Sequence, residues 1–463
     1  MTTSKHYKAL IIGAGQAGVP LSKALANAGW ETALIERQHV GGTCINKGCT
    51  PTKTMVASAR VAYLARRAAD YGVETGPVSV NMVKVRQRKR DMVDYFRTSN
   101  EKAIQTTPNL ELIMGEASFT DPHSVLVNLA GGATQQITAD TIFINTGDRP
   151  RIPALKGLEN VPYLDSTSIM ELDEVPEHLL VLGGGYVGLE FAQMFRRFGS
   201  QVTIVQRGNQ LLNQEDNDVA NEIAQILQQD GIDILLNTEA QCVERDDQEH
   251  ICLTVRTPQS EQILNGSHIL VATGRIPNTD RLNLPAAGIK MEKNGYIIAN
   301  ERLETNQAGV YALGDVKGGP AFTHISYDDF RIIRANLLEG GHRTTQDRFL
   351  PYTVFMDPQL GRVGLSESEA RRRGHDIRIA RLPMSYVARA AEVDETRGFI
   401  KAVVDAGSGL VLGCAVLGIE GGEIMAVIQM AMLGKIPYTV LRNVVFAHPT
   451  LAESMNNLFV QLQ

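Results

Sequence analysis

Short apolar runs that stop on glycines punctuate this chain. Residues 9–12 form one, four apolar positions followed by "GAGQAG". An apolar run closed by glycine reads as a buried strand. The period then changes, and residues up to Ala28 read as a helix that Gly29 ends. Residues 32–35 make a second strand, with Glu36 at its end. The same succession returns at 179–206, "LLVLGGGYVGLEFAQMFRRFGSQVTIVQ", where Gly199 corresponds to Gly29 and Gln206 to Glu36. A third strand pattern, "TNQAGVYALGD", ends on Gly314 and Asp315. From about residue 347 the character changes. "YTVFMDPQLGRVGL" and "GFIKAVVDAGSGLVLGCAVLG" predict an antiparallel sheet, with a helix over 422–434. The expected fold class is α/β: two Rossmann-like domains followed by an α+β domain.

The first repeat gives the glycines a chemical meaning. Gly13, Gly15 and Gly18 fit G-x-G-x-x-G between a strand and a helix. Bare backbone there lets a pyrophosphate approach the helix N-terminus, and a carboxylate such as Glu36 can hold ribose hydroxyls. Gly183, Gly185 and Gly188 repeat the motif. Two dinucleotide sites in one chain point to two nucleotides that exchange electrons. The alternative is one such domain and a coincidental glycine loop.

Composition narrows the class. The chain has 463 residues, 43% hydrophobic and 21% charged, as in an ordinary globular enzyme of several domains. A net charge of −6 argues against nucleic acid as the main partner. No stretch has the roughly 20 apolar residues of a membrane span, and the N-terminal pattern lacks a secretory leader. The expected setting is cytoplasmic. The basic clusters at 84–90 and 370–374 read as solvated helix faces; the first would alternatively steer an anionic cofactor.

Two of only five cysteines sit together in "GGTCINKGCTPTK", residues 41–53. Zinc is disfavoured, because the spacing is C-x4-C and no second ligand pair stands nearby. Two unrelated core thiols would not explain the glycines around them. A redox disulfide fits better, on a geometric condition. Helical positions five apart lie roughly 8.7 Å apart by Cα, beyond the about 7 Å a disulfide spans. The segment from Cys44 to Cys49 must therefore leave regular helix, with Gly48 a natural place to do so. The following helix is expected from near Pro51. Cys49 would then stand at its N-terminus, where the dipole, Lys47 and Lys53 favour a thiolate.

With "YALGD" and "FAHPTLAE" (446–453) in the same order, this stretch resembles the redox signature of the FAD-dependent pyridine nucleotide–disulfide oxidoreductases of class I. That family includes dihydrolipoamide dehydrogenase, glutathione reductase, mercuric reductase and the reductases of reactive-chlorine resistance. The resemblance spans essentially the whole chain. It implies FAD-binding segments at 1–150 and 278–346, an NAD(P)-binding domain at 151–277 and a dimerisation domain at 347–463. By the same resemblance Gly13, Gly15, Gly18 and Glu36 bind the ADP half of FAD. Ala117 contacts adenine, and Gly314 and Asp315 hold the ribityl or pyrophosphate portion. Gly42, Thr43, Thr146, Gly147 and Thr323 follow the same cofactor. Lys53 and Glu190 match an ion pair near flavin N5. Gly183, Gly185, Gly188, Gln206, Arg207, Gly274 and Arg275 fall to the nicotinamide nucleotide, and Tyr186 to a tyrosine that covers the flavin. His448 and Glu453 match an acid–base pair that serves the partner's cysteines in a homodimer. Electrons would pass from NAD(P)H through FAD and a Cys44–Cys49 disulfide to a small-molecule disulfide, an oxidised thiol-type acceptor or a metal ion.

Departures from the family pattern bear on coenzyme and acceptor. Gln206 stands where a carboxylate would repel a 2′-phosphate, which leans the coenzyme to NADPH over NADH. Phe446 replaces the first histidine of the dihydrolipoamide dehydrogenase pattern "HAHPT". No cysteine follows Cys414, whereas mercuric reductases carry a C-terminal pair. "GGTCINKGC", "IFINTG", "GGGYVGLEFA" and "YDDFRI" bring the chain nearest the reactive-chlorine branch, which acts on hypothiocyanous acid or copper ions. Dihydrolipoamide dehydrogenase and mercuric reductase stay as alternatives. A non-catalytic redox-sensing flavoprotein is a third reading; it expects a damaged catalytic set, and here every member is present. Cys242, Cys252 and Cys414 read as structural. Lys47 and Thr50 replace aliphatic residues usual in relatives.

Overall fold

Strand formation starts where β-branched and aliphatic residues run uninterrupted, and both glycine turns sit at the ends of such strands. In the computed structural model, which describes residues 4–346 and 348–462, the chain packs as two units. One holds the chain up to Thr54 with Lys84–Arg151 and Gly274–Arg348; the other holds Met55–Val83, Ile152–Thr273 and the chain from Phe349 onward.

The first unit is built on a six-stranded sheet. Strand Ser4–Ile12 lies parallel between Thr32–Glu36 and Thr134–Ile144, and Val310–Ala312 adds in parallel beyond the last. Leu110–Asp121 pairs in parallel with Thr32–Glu36, and Ser124–Leu129 pairs antiparallel with both Leu110–Asp121 and Thr134–Ile144. Both faces are covered, so Ala9, Leu10 and Ile11 are buried as a continuous apolar run rather than an alternating one. Helices Gly18–Asn27 and Thr323–Leu338 start at the carboxyl ends of their preceding strands.

The second unit contains a four-stranded parallel sheet and a five-stranded antiparallel one. The internal repeat holds down to strand register. Ala9 pairs with Thr32 and Ile12 with Ile35; Leu179 pairs with Val202 and Leu182 with Val205. The antiparallel sheet runs through Tyr352–Val354, Gln359–Gly364, Val411–Gly418, Phe399–Asp405 and Ile377–Pro383. Helix Gly421–Leu433 packs on it through Ile424, Met425 and Ile428.

One expectation changes. The basic cluster 84–90 lies in helix Met82–Gln105, but Lys89 is buried rather than solvated. The apolar residues that recur along that helix place its inner face under Lys89 as well. Among the described residues, no helix is long and apolar enough to cross a membrane.

Candidate active site

The cysteines stand on either side of a helix break. Gly41 and Gly42 both have positive φ, 102° and 62°, which turns the chain back over the first glycine loop. Gly41 N–H donates to the Ala14 carbonyl at 2.8 Å. A five-residue helix, Gly42–Asn46, carries Cys44 and stops at Lys47, whose φ of −142° and ψ of 6° are not helical. Helix Cys49–Arg66 then begins at Cys49, two residues earlier than expected. Pro51 still lies in the first turn, where its missing N–H is tolerated. Gly48 is needed for close approach: a Cβ there would meet the Thr43 carbonyl oxygen at 3.0 Å and the Cys44 Cα at 3.4 Å.

Cys44 is partly buried. The Cys44 thiol is pushed far above its ordinary range, first by hydrogen bonding to Cys49, then by burial and Cys49 charge. The Thr323 hydroxyl and the Lys53 ammonium oppose that shift. Cys49 is exposed, with its Sγ 3.4 Å from Thr323 Oγ1. Lys47 turns elsewhere, donating to Gln38 Oε1 at 3.0 Å, so the charge acting on Cys44 is that of Lys53. Asn46 pins the turn: its Nδ2 donates to the carbonyls of Val40 and Gly42 at 3.0 and 2.9 Å, and Arg97 Nε donates to its Oδ1 at 2.8 Å. No spacing rule marks Arg97, because that contact joins distant segments.

The first glycine loop is a cradle that side chains would fill. A Cβ on Gly13 would lie 2.3 Å from the Asn145 carbonyl oxygen, and one on Gly18 would lie 2.1 Å from the Gly13 oxygen. Asn145, which sequence reasoning missed, accepts from Gly18 N–H at 2.9 Å and donates to the Leu313 carbonyl at 2.9 Å. Its position beside Thr146 in "INTG" was the available signal. A Cβ on Gly15 would meet Asn145 Oδ1 at 2.9 Å. Glu36 accepts from Ala14 N–H and Gln38 N–H at 3.0 and 2.7 Å, leaving lone pairs for ribose hydroxyls. Thr146 Oγ1 is one of four buried side-chain N or O atoms without a partner among the described residues. A cradle of bare backbone, a ribose-binding carboxylate and an orphaned hydroxyl fit FAD.

The remaining positions in this unit surround that cradle by sequence and packing. Ala117 is buried in strand Leu110–Asp121, and Thr43 is exposed in the first turn of its helix. The Gly147 carbonyl accepts from Asn278 N–H and the Gly274 carbonyl from Arg151 N–H, each at 2.9 Å. Gly314 donates to Asp329 Oδ2 at 2.8 Å. Arg275 donates to Asp148 Oδ1 at 2.8 Å, so this guanidinium is held by a buried carboxylate.

Asp315 and Asp148 form a buried acid pair. Burial first, and then the neighbouring Asp148 charge, raise the Asp315 pKa to about 7 against the opposing pull of Arg275 and Lys317. A carboxyl whose folded pKa exceeds its unfolded value of about 3.9 is favoured while it keeps its proton. The folded state then binds more protons, so stability falls as pH rises from about 4 to about 7. In flavin-free protein, Asp315→Asn is expected to flatten the fall in Tm over that window. An unchanged slope would assign the effect to another group.

The second unit repeats the loop with neutral chemistry. A Cβ on Gly183 would lie 2.5 Å from the Ala272 oxygen, and one on Gly188 would lie 2.1 Å from the Gly183 oxygen. Helix Tyr186–Phe198 begins just after Gly185, with Tyr186 as its first residue. Gln206 Oε1 accepts from Gly184 N–H at 3.0 Å, as Glu36 does from Ala14. Its Nε2 donates to the Gln210 carbonyl and Asn213 Oδ1 at 3.1 and 3.3 Å. A carboxylate could not make those donations. The buried amide therefore ties the following loop to the glycine turn and adds no negative charge, while Arg207 beside it is exposed. This cradle fits a nicotinamide nucleotide. Glu190 is buried one turn along the helix and accepts from Phe355 N–H at 2.8 Å.

His448 and Glu453 meet at the start of the last helix, Ser454–Val460. Glu453 oxygens lie 2.9 and 3.1 Å from His448 Nδ1. A carboxylate accepting there leaves Nε2 as the exchanging nitrogen. The His448 side chain is 67% exposed, so that nitrogen is open to a reacting group. Asn456 holds the approach by donating to the carbonyls of Leu441, Arg442 and Val444.

Comparison with known proteins agrees with this organisation. Residues 7–329 match the family model described as pyridine nucleotide-disulphide oxidoreductase, and residues 350–459 match its dimerisation domain. The probable pyridine nucleotide-disulfide oxidoreductase RclA of Escherichia coli is 40% identical over 98% of both chains. A mercuric reductase of Staphylococcus aureus is 34% identical over 92% of this chain and 77% of its own. The solved Cu(II) complex of the HOCl-induced flavoprotein disulfide reductase RclA superposes with a TM-score of 0.90 at 39% identity, over 99% of this chain and 100% of that one. The chain thus belongs to the pyridine nucleotide–disulfide oxidoreductase family, FAD-dependent oxidoreductases that move electrons from NAD(P)H to a sulfur or metal acceptor.

Proposed function

We propose that Cys44 and Cys49 are the redox pair of an NADPH-dependent reductase whose preferred acceptor is hypothiocyanous acid or Cu(II). The observation that carries this reading is the broken helix that sets both thiols beside Thr323 and under the influence of Lys53. Bound FAD would supply the two electrons, taken from the nicotinamide, that open the disulfide. The residues of the first glycine loop, Glu36, Thr146 and Asp315 would hold it.

The Cys44 thiol gives its proton to the partner's His448, and the thiolate attacks the acceptor sulfur, expelling hydroxide from hypothiocyanous acid or a thiolate from a disulfide. His448 of the other subunit protonates that leaving group, and Glu453 keeps Nε2 turned toward it. The Cys49 thiolate then attacks the Cys44 sulfur. This reforms the internal disulfide and releases the acceptor sulfur as thiocyanate or as the second thiol. Two electrons leave the protein, and water with thiocyanate, or two thiols, leave the site.

The finer assignments follow from the same reading. Residues 1–150 and 278–346 bind FAD, 151–277 bind NADPH and 347–463 form the dimer contact. Exposed Met430, Leu433, Val440 and Val445 in the last segment support a homodimer, since such apolar side chains gain by being covered. We place the protein in the cytoplasm, where so few cysteines in so long a chain suit catalysis rather than structural cross-links. The neutral, internally tied Gln206 supports NADPH.

One steady-state screen tests acceptor and coenzyme together. Oxidation of NADPH and NADH is followed with glutathione disulfide, lipoamide, Hg(II), Cu(II) and hypothiocyanous acid. The expected result is a higher kcat/KM with NADPH and best turnover of hypothiocyanous acid or Cu(II). Cu(II) belongs in the screen because the E. coli relative was solved as its Cu(II) complex. Efficient turnover of lipoamide or glutathione disulfide alone would sink the acceptor assignment, and a strong NADH preference the coenzyme assignment.

A further inference from the structure

The second unit also contains a cavity of about 570 Å³ that none of the candidate site residues lines. Five arginines converge on it, from three places in the sequence. Arg66 and Arg67 come from the end of helix Cys49–Arg66, Arg196 and Arg197 from the last turn of helix Tyr186–Phe198, and Arg397 from the segment before strand Phe399–Asp405. Three of the five are neutralised. Arg67 pairs with Asp394 and Asp70. Arg397 reaches Asp230 at 2.8 Å and Glu395 at 2.7 Å. Arg197 reaches Asp357 at 2.5 Å, and its guanidinium lies 3.9 Å from the Tyr63 ring centroid, closing one wall.

The other two are not. Arg66 donates to the Arg197 carbonyl, and Arg196 donates to the carbonyls of Asp230 and Ser200 at 2.9 and 3.2 Å. Among the described residues neither has a carboxylate within ion-pair distance. Carbonyls satisfy some donors of these groups without an ion pair, and a guanidinium carries five N–H donors. The buried Arg197 Nε, in the same wall, has no hydrogen-bond partner among the described residues. The space is genuinely open at Gly199, where an added Cβ would find no atom within 4 Å.

We propose that this cavity is a binding site for a small phosphate-bearing molecule, with Arg66 and Arg196 as its anion-holding groups. The lining carries five guanidinium groups against the three carboxylates of Asp230, Asp394 and Glu395, and that excess of positive groups favours a phosphate over a single carboxylate. The planar N–H fork of arginine suits phosphate oxygens in pairs. The cavity is far larger than inorganic phosphate needs and lies in the range of small-molecule sites, so the phosphate is one end of a larger ligand. This site is separate from electron transfer and goes beyond the function proposed above.

Inorganic phosphate is the minimal probe. Calorimetric titration of the FAD-loaded protein, in phosphate-free buffer with saturating NADP+, is expected to show saturable binding. Arg66→Ala should weaken it by about tenfold or more, and the Arg66→Ala/Arg196→Ala pair should weaken it further. Arg66→Lys should recover part of the loss. FAD content and turnover should stay at the parent level in all three. Arg66 is exposed, so the single variant keeps a test in hand should the double variant misfold. No saturable binding to the parent protein, or equal affinity in the parent and Arg66→Ala, overturns the proposal; the latter is also what phosphate held only at the coenzyme site would give.

Discussion

Replacement of Cys44 by serine is expected to lower acceptor-dependent turnover by about 10³-fold or more. Thiol–disulfide exchange needs a sulfur that can both attack the acceptor and be attacked in turn. A hydroxyl does neither at neutral pH, so no internal disulfide can form. The loss should be confined to that half of the cycle. FAD content should stay near the parent level, because the glycine loop, Glu36 and Asn145 make no use of the Cys44 sulfur. Reduction of the bound flavin by the nicotinamide should also persist. Anaerobic stopped-flow absorbance separates the two halves, and steady-state turnover within tenfold of the parent would exclude Cys44 as the exchanging thiol. Serine keeps a hydroxyl that can take over the hydrogen bond with Cys49 at nearly the same size, so the variant is not expected to lose stability seriously.

Substitution of His448 by alanine should cost about 10²- to 10⁴-fold in turnover, the usual worth of a positioned general acid–base. Glu453→Gln should cost less. The amide can still accept from Nδ1 but no longer stabilises the charged ring as a carboxylate does. The signature of a proton-transfer role is dependence on the leaving group. Acceptors that expel thiols of low pKa need little protonation and should lose far less than those that expel basic thiols. A merely structural histidine would affect all acceptors alike, and that outcome would remove His448 from the mechanism. Because His448 is largely exposed, its truncation opens no cavity and the fold should be kept.

Much of this was readable in the chain itself, and the reason is local. Apolar runs that end on glycines gave both nucleotide units, since strand, turn and helix N-terminus are contiguous in sequence. The duplicated register of residues 9–12 and 179–182 is the physical form of that repeat. The cysteine spacing required a helix break, and the break is there, centred on Lys47 as well as Gly48. Its position was less legible. Proline at 51 suggested a later start, but a first turn accepts proline at several positions, so the helix reaches back to Cys49.

Sequence alone determined the fold class, the family and the thiol pair, because each depends on short motifs whose backbone geometry is set by neighbouring residues. Tertiary structure decided which charges act. Lys47 lies two residues from Cys49 yet turns to Gln38, while Lys53, a helical turn away, bears on Cys44. Only packing brought Asp148 against Asp315, Arg97 onto Asn46 and two unpaired arginines to one cavity. Electrostatics depends on distance and burial, and neither is carried by spacing along the chain.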